Sequence, residues 1–305
     1  MAKTMIRVFL TVMVAIVAVL AGCNAKAENK ENENTAAAKA SSKRADWPDK
    51  LNFAVTGIEG MEELQRRYEP FKKKMEELLD VEIAFFPVSD RVVSATAMEY
   101  GQVDLVLAGP SEYAQIKNAN HQAELLAGIQ RDAYYTVLIV PEKSQIKKIE
   151  DLKGKTIAMK DVGSTSGHIG PSAMLLEEGL NLDKDVKIEL LGDARIEALK
   201  SGDVDALATG VRDYDKMIEE DGKGAYRIIA EGPPLPSDPF VASGKLPKTL
   251  RAELKKVLLE HQEAILEAML ASEDNDKYEK AKMIEIQDND FDAMRETYKV
   301  LGIDL

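Results

Sequence analysis

The sequence predicts an α/β fold of two lobes, each a mostly parallel sheet flanked by helices, with a cleft between the lobes. Three observations predict it. From Leu51 onward, short continuous apolar runs alternate with amphipathic ones, as in parallel strands buried on both faces and joined by helices. The alternation restarts after KIEDLKGK (148–155). Both halves also carry one phrase: a helix ending in Gly, one or two polar residues, then Val-Asp and a strand. It reads YGQVDLVLAG at 100–109 and SGDVDALATG at 201–210, an internal echo that points to two similar units.

In chain order, LNFAVTG (51–57) reads as a strand and 61–79 as a helix with Pro70 near its middle. VEIAFFPV (81–88) is a strand, 92–101 a helix and VDLVLAG (103–109) a strand. The helix at 110–119 opens on Pro110, which suits a first helical position. AELLAGI and YYTVLIVP follow as strands. In the second unit TIAMK (156–160), VKIELL (186–191), VDALATG (204–210) and YRIIAEG (226–232) are strands. Helices are expected at 165–180, 193–202 and 211–220, and mainly helix after PPLPSDPF (233–240). Chain crossings near 138–150 and 233–243 then divide the fold into lobe 1 (48–140 with 240–305) and lobe 2 (141–239).

Residues 1–23 stand apart. Lys3 and Arg7 precede an apolar run, Val8 to Leu20, that is shorter than the ~20 residues a spanning helix needs. LAGC (20–23) resembles the lipobox of bacterial lipoproteins, which implies a signal peptide over 1–23 and lipid on Cys23; a plain secretory leader and an uncleaved anchor are the alternatives. Cys23 is the only cysteine, which leaves none for a disulfide or a thiolate site. Residues 24–47 are rich in Ala, Glu, Asn, Lys and Ser, too poor in apolar surface to offset ordering entropy, and are expected to form a disordered tether.

The formal net charge is −13, and −15 once Lys3 and Arg7 leave with the leader. That balance argues against nucleic acid or an anionic membrane surface as a partner held by bulk charge. An anion must instead be held locally, through dipoles and hydrogen bonds.

KDVGSTSGH (160–168) supplies those, between a strand and a helix. In open α/β sheets, ligands sit where strand ends lead into helix N-termini, which offer free N–H groups and partial positive charge. Ser164, Thr165 and Ser166 add three hydroxyls, while Gly163 and Gly167 allow close approach of the backbone. The other reading is a helix cap with surplus hydroxyls. The Gly-Lys-Ser/Thr ending of a nucleotide-phosphate loop is missing. His121, His168 and His261 have no metal spacing, and no nucleophile constellation is visible, so no cofactor, metal or enzymatic reaction is expected. Asp238 either faces the cleft or caps a turn.

GSTSGHIGPSAML (163–175), AGPSEYA (108–114), LKGKTIAMKD (152–161) and LKSGDVDA (199–206) resemble the substrate-binding lipoproteins of phosphonate and phosphite ABC importers. The similarity runs from about Leu51 to the helices after Pro247. It implies the two-lobe periplasmic-binding-protein fold of type II, with Ser164, Thr165 and Ser166 clamping phosphorus-bound oxygens and Tyr113 reaching them from the opposite lobe. Arg91 stands where many members carry an aromatic residue, and Thr56 completes the candidate contacts. Gly192 and Gly210 fall where many members have a histidine and an acid. That implies no partner for an amine, and small phosphorus oxyanions binding about tenfold or more tighter than aminoethylphosphonate. The expected function is a lipid-anchored receptor for phosphite, phosphonate or phosphate, serving an ABC-transporter permease in the cell envelope. The alternative is delivery of the same ligand to a sensor kinase or chemoreceptor.

Overall fold

The helix α1 (Met61–Leu79) shows how sequence pattern becomes packing. Its buried side chains are Leu64, Tyr68, Phe71, Met75 and Leu79, spaced three or four residues apart on one face. That face lies on the sheet through Phe53 and Phe240: the Phe53–Phe71 ring centroids are 5.1 Å apart and the Phe71–Phe240 rings stack at 5.7 Å. Pro70 removes one backbone bond, yet the helix runs through it because five anchored side chains hold both halves in place.

The computed structural model describes residues 44–305 apart from residue 59. The expected leader, Cys23 and the tether up to residue 43 lie outside the described residues. Pro48–Leu305 forms one compact unit with two sheets. The first contains β1 (Lys50–Val55), β2 (Glu82–Phe85), β3 (Leu105–Leu107), β4 (Glu124–Gln130), β10 (Asp238–Ala242) and β11 (Lys282–Ile284), in the order β11-β4-β10-β3-β1-β2. The second contains β5 (Thr136–Pro141), β6 (Thr156–Met159), β7 (Lys187–Leu190), β8 (Ala206–Gly210) and β9 (Tyr226–Glu231), in the order β7-β6-β8-β5-β9.

The internal echo is topological. In the first sheet β1, β2 and β3, and in the second β6, β7 and β8, form the parallel part, with the earliest of each three in the middle. Beside the third lies one reversed strand, β10 in the first sheet and β5 in the second, antiparallel to both neighbours. The repeated Val-Asp phrases lead into equivalent strands, β3 and β8, and in both the Asp caps a neighbour: Asp104 accepts from the Asn52 amide (2.8 Å) and Asp205 from the Thr156 amide (2.9 Å).

Two crossings join the sheets. The first lies at 131–135, before the expected 138–150, because β5 already belongs to the second sheet. The second lies between β9 and β10, at 232–237. The region after 240 is not purely helical: β10 is fully buried in the first sheet and β11 pairs at its edge. The remaining helices are α2 (Val93–Glu99), α3 (Pro110–Ala119), α4 (Gly170–Glu177), α5 (Arg195–Ser201), α6 (Val211–Asp221), α7 (Lys248–Glu260), α8 (Gln262–Leu270) and α9 (Asp292–Val300). The last packs on both α3 and α4, through Met294 and Tyr298, and so bridges the two sides. Among the described residues no helix is long and apolar enough to cross a membrane.

Candidate functional site

Between the sheets lies a cleft of about 410 Å³. Thr56, Arg91, Gly109, Glu112 and Asp238 enter it from the first sheet's side, Lys160, Ser164–Gly167, Thr209 and Gly210 from the second, and Arg131 and Tyr134 from the first crossing.

The GSTSG segment is built for close approach. Gly163 takes φ +86°, a left-handed turn that brings the chain off β6. Residues 165–169 then form one wide turn with five-residue hydrogen bonding before α4 begins, where sequence pattern predicts an α-helix. Its first acceptor, the Ser164 carbonyl, is taken by the His168 and Ile169 amides (2.9 Å each). The amides of Thr165, Ser166 and Gly167 come before the first donor of the turn and have no partner within it. Ser164 and Ser166 line the cleft, and among the described residues their hydroxyls carry no hydrogen bond.

Thr165 is differently engaged. Its Oγ1 accepts from the Ser111 amide (3.1 Å), lies 2.7 Å from Ser111 Oγ and donates to Glu112 Oε2 (3.2 Å), all across the cleft. Ser111 Oγ also reaches the Gly163 carbonyl (2.7 Å). Gly163 therefore shapes the segment and ties it to α3, but does not line the cleft. His168 stays out of the cleft as well; its Nδ1 accepts from the Gly163 amide (3.2 Å), and burial lowers its pKa.

Arg91 lies over Gly57, whose φ of +76° and missing side chain make the room; a Cβ there would sit 2.2 Å from the guanidinium. Its Nη1 donates to Glu112 Oε1 (2.8 Å) and its Nη2 to Asp161 (3.5 Å), while its buried Nε has no partner. Burial would lower its pKa, but Glu112 and then Asp161 raise it. Thr56 Oγ1 accepts from the Gly109 amide (3.1 Å) at the cleft wall.

Two expectations are corrected. Tyr113 does not reach the cleft: its ring packs on Phe291 at 4.5 Å and its hydroxyl donates to Asp288 (2.5 Å). Position 112, one residue earlier and about 100° around the helix, turns inward instead. The cleft also does not lack acids. Gly210 lines it without a side chain, but Asp193 and Asp213, one and three residues beyond the two glycines, both line it, as does Asp238. Asp238 is buried, with Oδ2 held by Arg131 Nε (2.9 Å) and the Tyr278 hydroxyl (2.8 Å) and Oδ1 without a partner. The predicted discrimination against an amine therefore has no structural basis.

Sequence reasoning also missed cations and an aromatic ring. Lys160 follows the last residue of β6, just before the Gly163–Gly167 segment, and pairs with Asp193 (3.3 Å); burial first, then Arg195, lower its pKa. Arg131 stacks over the Tyr134 ring at 3.8 Å. Burial pushes the Tyr134 hydroxyl up to about 12, Arg131 opposing. Lys160 was legible as the last residue of its expected strand. Arg131 and Tyr134 lie on a crossing whose course only the tertiary fold reveals. Among the described residues there is no group of three or more His, Cys, Asp or Glu side chains that could hold a metal ion.

The hydroxyl-rich turn in a two-sheet cleft is joined by an independent match. The family described as "ABC transporter, phosphonate, periplasmic substrate-binding protein" covers residues 53–287. The chain belongs to this family. It is 25% identical over 189 residues to the phosphate-import protein PhnD of Mycolicibacterium smegmatis, covering 57% of this chain and 58% of that protein. It is 25% identical over 187 residues to the probable phosphite-binding protein PhnD1 of Prochlorococcus marinus, covering 58% of this chain and 63% of that one. The matches thus span about three fifths of these relatives' length. The solved structure of PhnD1 with methylphosphonate superposes with a TM-score of 0.67 at 22% identity, over 84% of this chain and 99% of that one; at that identity it supports the fold.

Proposed function

We propose that this protein captures a small phosphorus oxyanion, phosphite, a phosphonate or phosphate, in the cleft and presents it to the permease of an ABC importer. One observation carries the reading. The three leading amides of the 165–169 turn and the Ser164 and Ser166 hydroxyls are donors gathered at one cleft beside the Arg91 guanidinium, and among the described residues the two hydroxyls have no acceptor of their own. A tetrahedral oxyanion supplies several acceptors from one small centre. Its water would be replaced by fixed N–H and O–H dipoles, and the guanidinium adds charge at hydrogen-bond range. The long-range field of a −13 chain is screened beyond about 8–10 Å at physiological salt and does not oppose contact at that range.

The name of the relative PhnD1 as a phosphite-binding protein, and its complex with methylphosphonate, support the ligand class. Lipid on Cys23, a flexible tether over 24–47, two lobes meeting at the cleft, and an anchorage on the outer face of the cytoplasmic membrane or in the periplasm belong to the same reading, supported by the LAGC motif. Titration calorimetry against phosphite, methylphosphonate, aminoethylphosphonate, phosphate and sulfate tests the ligand. Saturable binding of at least one phosphorus oxyanion is expected, and binding of none of them contradicts the reading.

A further inference from the structure

We propose that Glu112 makes the cleft selective for oxyanions that carry a proton, such as hydrogen phosphonates, over tetrahedral anions of the same shape without one, such as sulfonates. The inference rests on the oxyanion reading of the cleft given above.

Glu112 is 1% exposed and stands in the first turn of α3. Its carboxylate is folded back over Gly109, where a Cβ would lie 2.4 Å from Oε2, and it lines the cleft beside the clamp. A carboxylate offers about four acceptor sites. Oε2 lies within hydrogen-bond distance of the Thr165 hydroxyl (3.2 Å) and of the Ser111 hydroxyl (2.8 Å), whose single proton is shared with the Gly163 carbonyl, while among the described residues Oε1 receives only Arg91 Nη1 (2.8 Å). An acceptor site is left on the oxygen that Arg91 holds.

An anion drawn to Arg91 and the Ser164–Ser166 clamp therefore meets a fixed carboxylate already bound to the same guanidinium. Two oxyanions in contact repel unless a proton lies between them. A hydrogen phosphonate brings that proton: its O–H donates to Oε1 while its other oxygens take the clamp's donors. A sulfonate of equal charge has no donor, so Oε1 and a sulfonate oxygen face each other unpaired. A site that pairs with a ligand hydroxyl penalises the analogue lacking it more than an apolar pocket penalises a missing methylene. Among the described residues Arg91 is the one cation hydrogen-bonded to this carboxylate, and Asp161 holds its second arm; Lys160 and Arg131 also line the cleft but pair with Asp193 and Asp238, and Ser111, Thr165, Tyr134 and Tyr298 are neutral.

Methylphosphonate and methanesulfonate form the test pair, matched in shape and, at about pH 6, in charge, and different by one proton. Calorimetry on the full chain should find methylphosphonate bound at least about 100-fold tighter. Glu112→Gln keeps an oxygen for Arg91 and adds an N–H donor, so it should shrink the gap to about tenfold or less, chiefly by strengthening methanesulfonate. Should that variant fail to fold, the unsubstituted protein decides. Methylphosphonate affinity should fall between about pH 6 and 8 as the ligand loses its proton. Methanesulfonate at the same pH values controls for Lys160 and Lys277, whose pKa values burial lowers. Equal affinities for the two ligands, an unchanged gap in Glu112→Gln, or a methylphosphonate affinity flat with pH overturns the inference while the oxyanion reading stands. Binding of neither ligand overturns both.

Discussion

Ser166 and Thr165 are adjacent hydroxyls with different work to do. Ser166 lines the cleft and its hydroxyl has no hydrogen-bond partner among the described residues, so Ser166→Ala should weaken oxyanion binding by about 1.5–3 kcal/mol, the range for hydrogen bonds to a charged group, and leave Tm nearly unchanged. Thr165 joins the clamp to α3 through the Ser111 amide at 3.1 Å. Thr165→Ala should therefore lower affinity and also cost about 1–3 kcal/mol of stability, because it leaves buried polar groups unpaired. Calorimetry and thermal melts on the same samples separate the two cases. His168 adds a pH dependence. Burial lowers its folded pKa below the usual 6.5, so the unfolded chain binds more protons in that window and the folded state loses stability as pH falls from about 6.5 towards the folded value. Protonating Nδ1 also removes the acceptor that the Gly163 amide uses, so clamp affinity should fall at the acid end of that window, as pH passes the folded pKa, and His168→Asn should flatten the profile. The Ser-Thr-Ser run was legible because its chemistry is local: three hydroxyls and two glycines between a strand and a helix. Tyr113 was misplaced because a motif names a helix and not the direction its side chains take, and here Glu112 is the residue turned inward.

At the scale of elements, sequence periodicity served well wherever one face of a segment is buried. The bounds of α1 and α3 follow the pattern to the residue, and the repeated Val-Asp phrase marks the corresponding strands of the two sheets. The crossings were read less well. Residues 131–135 and 232–237 follow neither period, since their course depends on which sheet receives the next strand. Arg131 and Tyr134 went unassigned, and Asp238 stayed open between facing the cleft and capping a turn, because they lie in or beside these segments. Within α1, Phe71 packs against Phe53, Tyr68 and Phe240. Phe71→Ala should cost about 3–5 kcal/mol, measured by urea unfolding, with little change in the affinity of the protein that remains folded. The turn after β1 makes the opposite prediction. Gly57→Ala places a methyl group on the Arg91 guanidinium at a positive φ. It should weaken oxyanion binding by about 1.5–3 kcal/mol while the fold survives.

Across the whole molecule, contacts between the two sides of the cleft fall into two kinds. Near the clamp they are buried and specific: Ser111 with Thr165 and Gly163, and α9 against both α3 and α4. At the far rim they are ion pairs, Arg212 with Asp276 (3.3 Å) and Glu279 (3.1 Å) and Lys216 with Asp276 (2.7 Å). Exposed pairs contribute about 0–1 kcal/mol each and are screened by salt. Arg212→Ala with Lys216→Ala should therefore change affinity less than Ser166→Ala does. In the proposed function the anion sits on the turn at 164–167 beside Arg91. A crystal structure of the protein with methylphosphonate decides this. Phosphonate oxygens are expected within hydrogen-bond distance of the Ser164 or Ser166 hydroxyl, of an amide among residues 165–167 and of Arg91. A phosphonate bound elsewhere in the cleft, for example against Arg212 and Lys277 with the 164–167 turn left free, would contradict it.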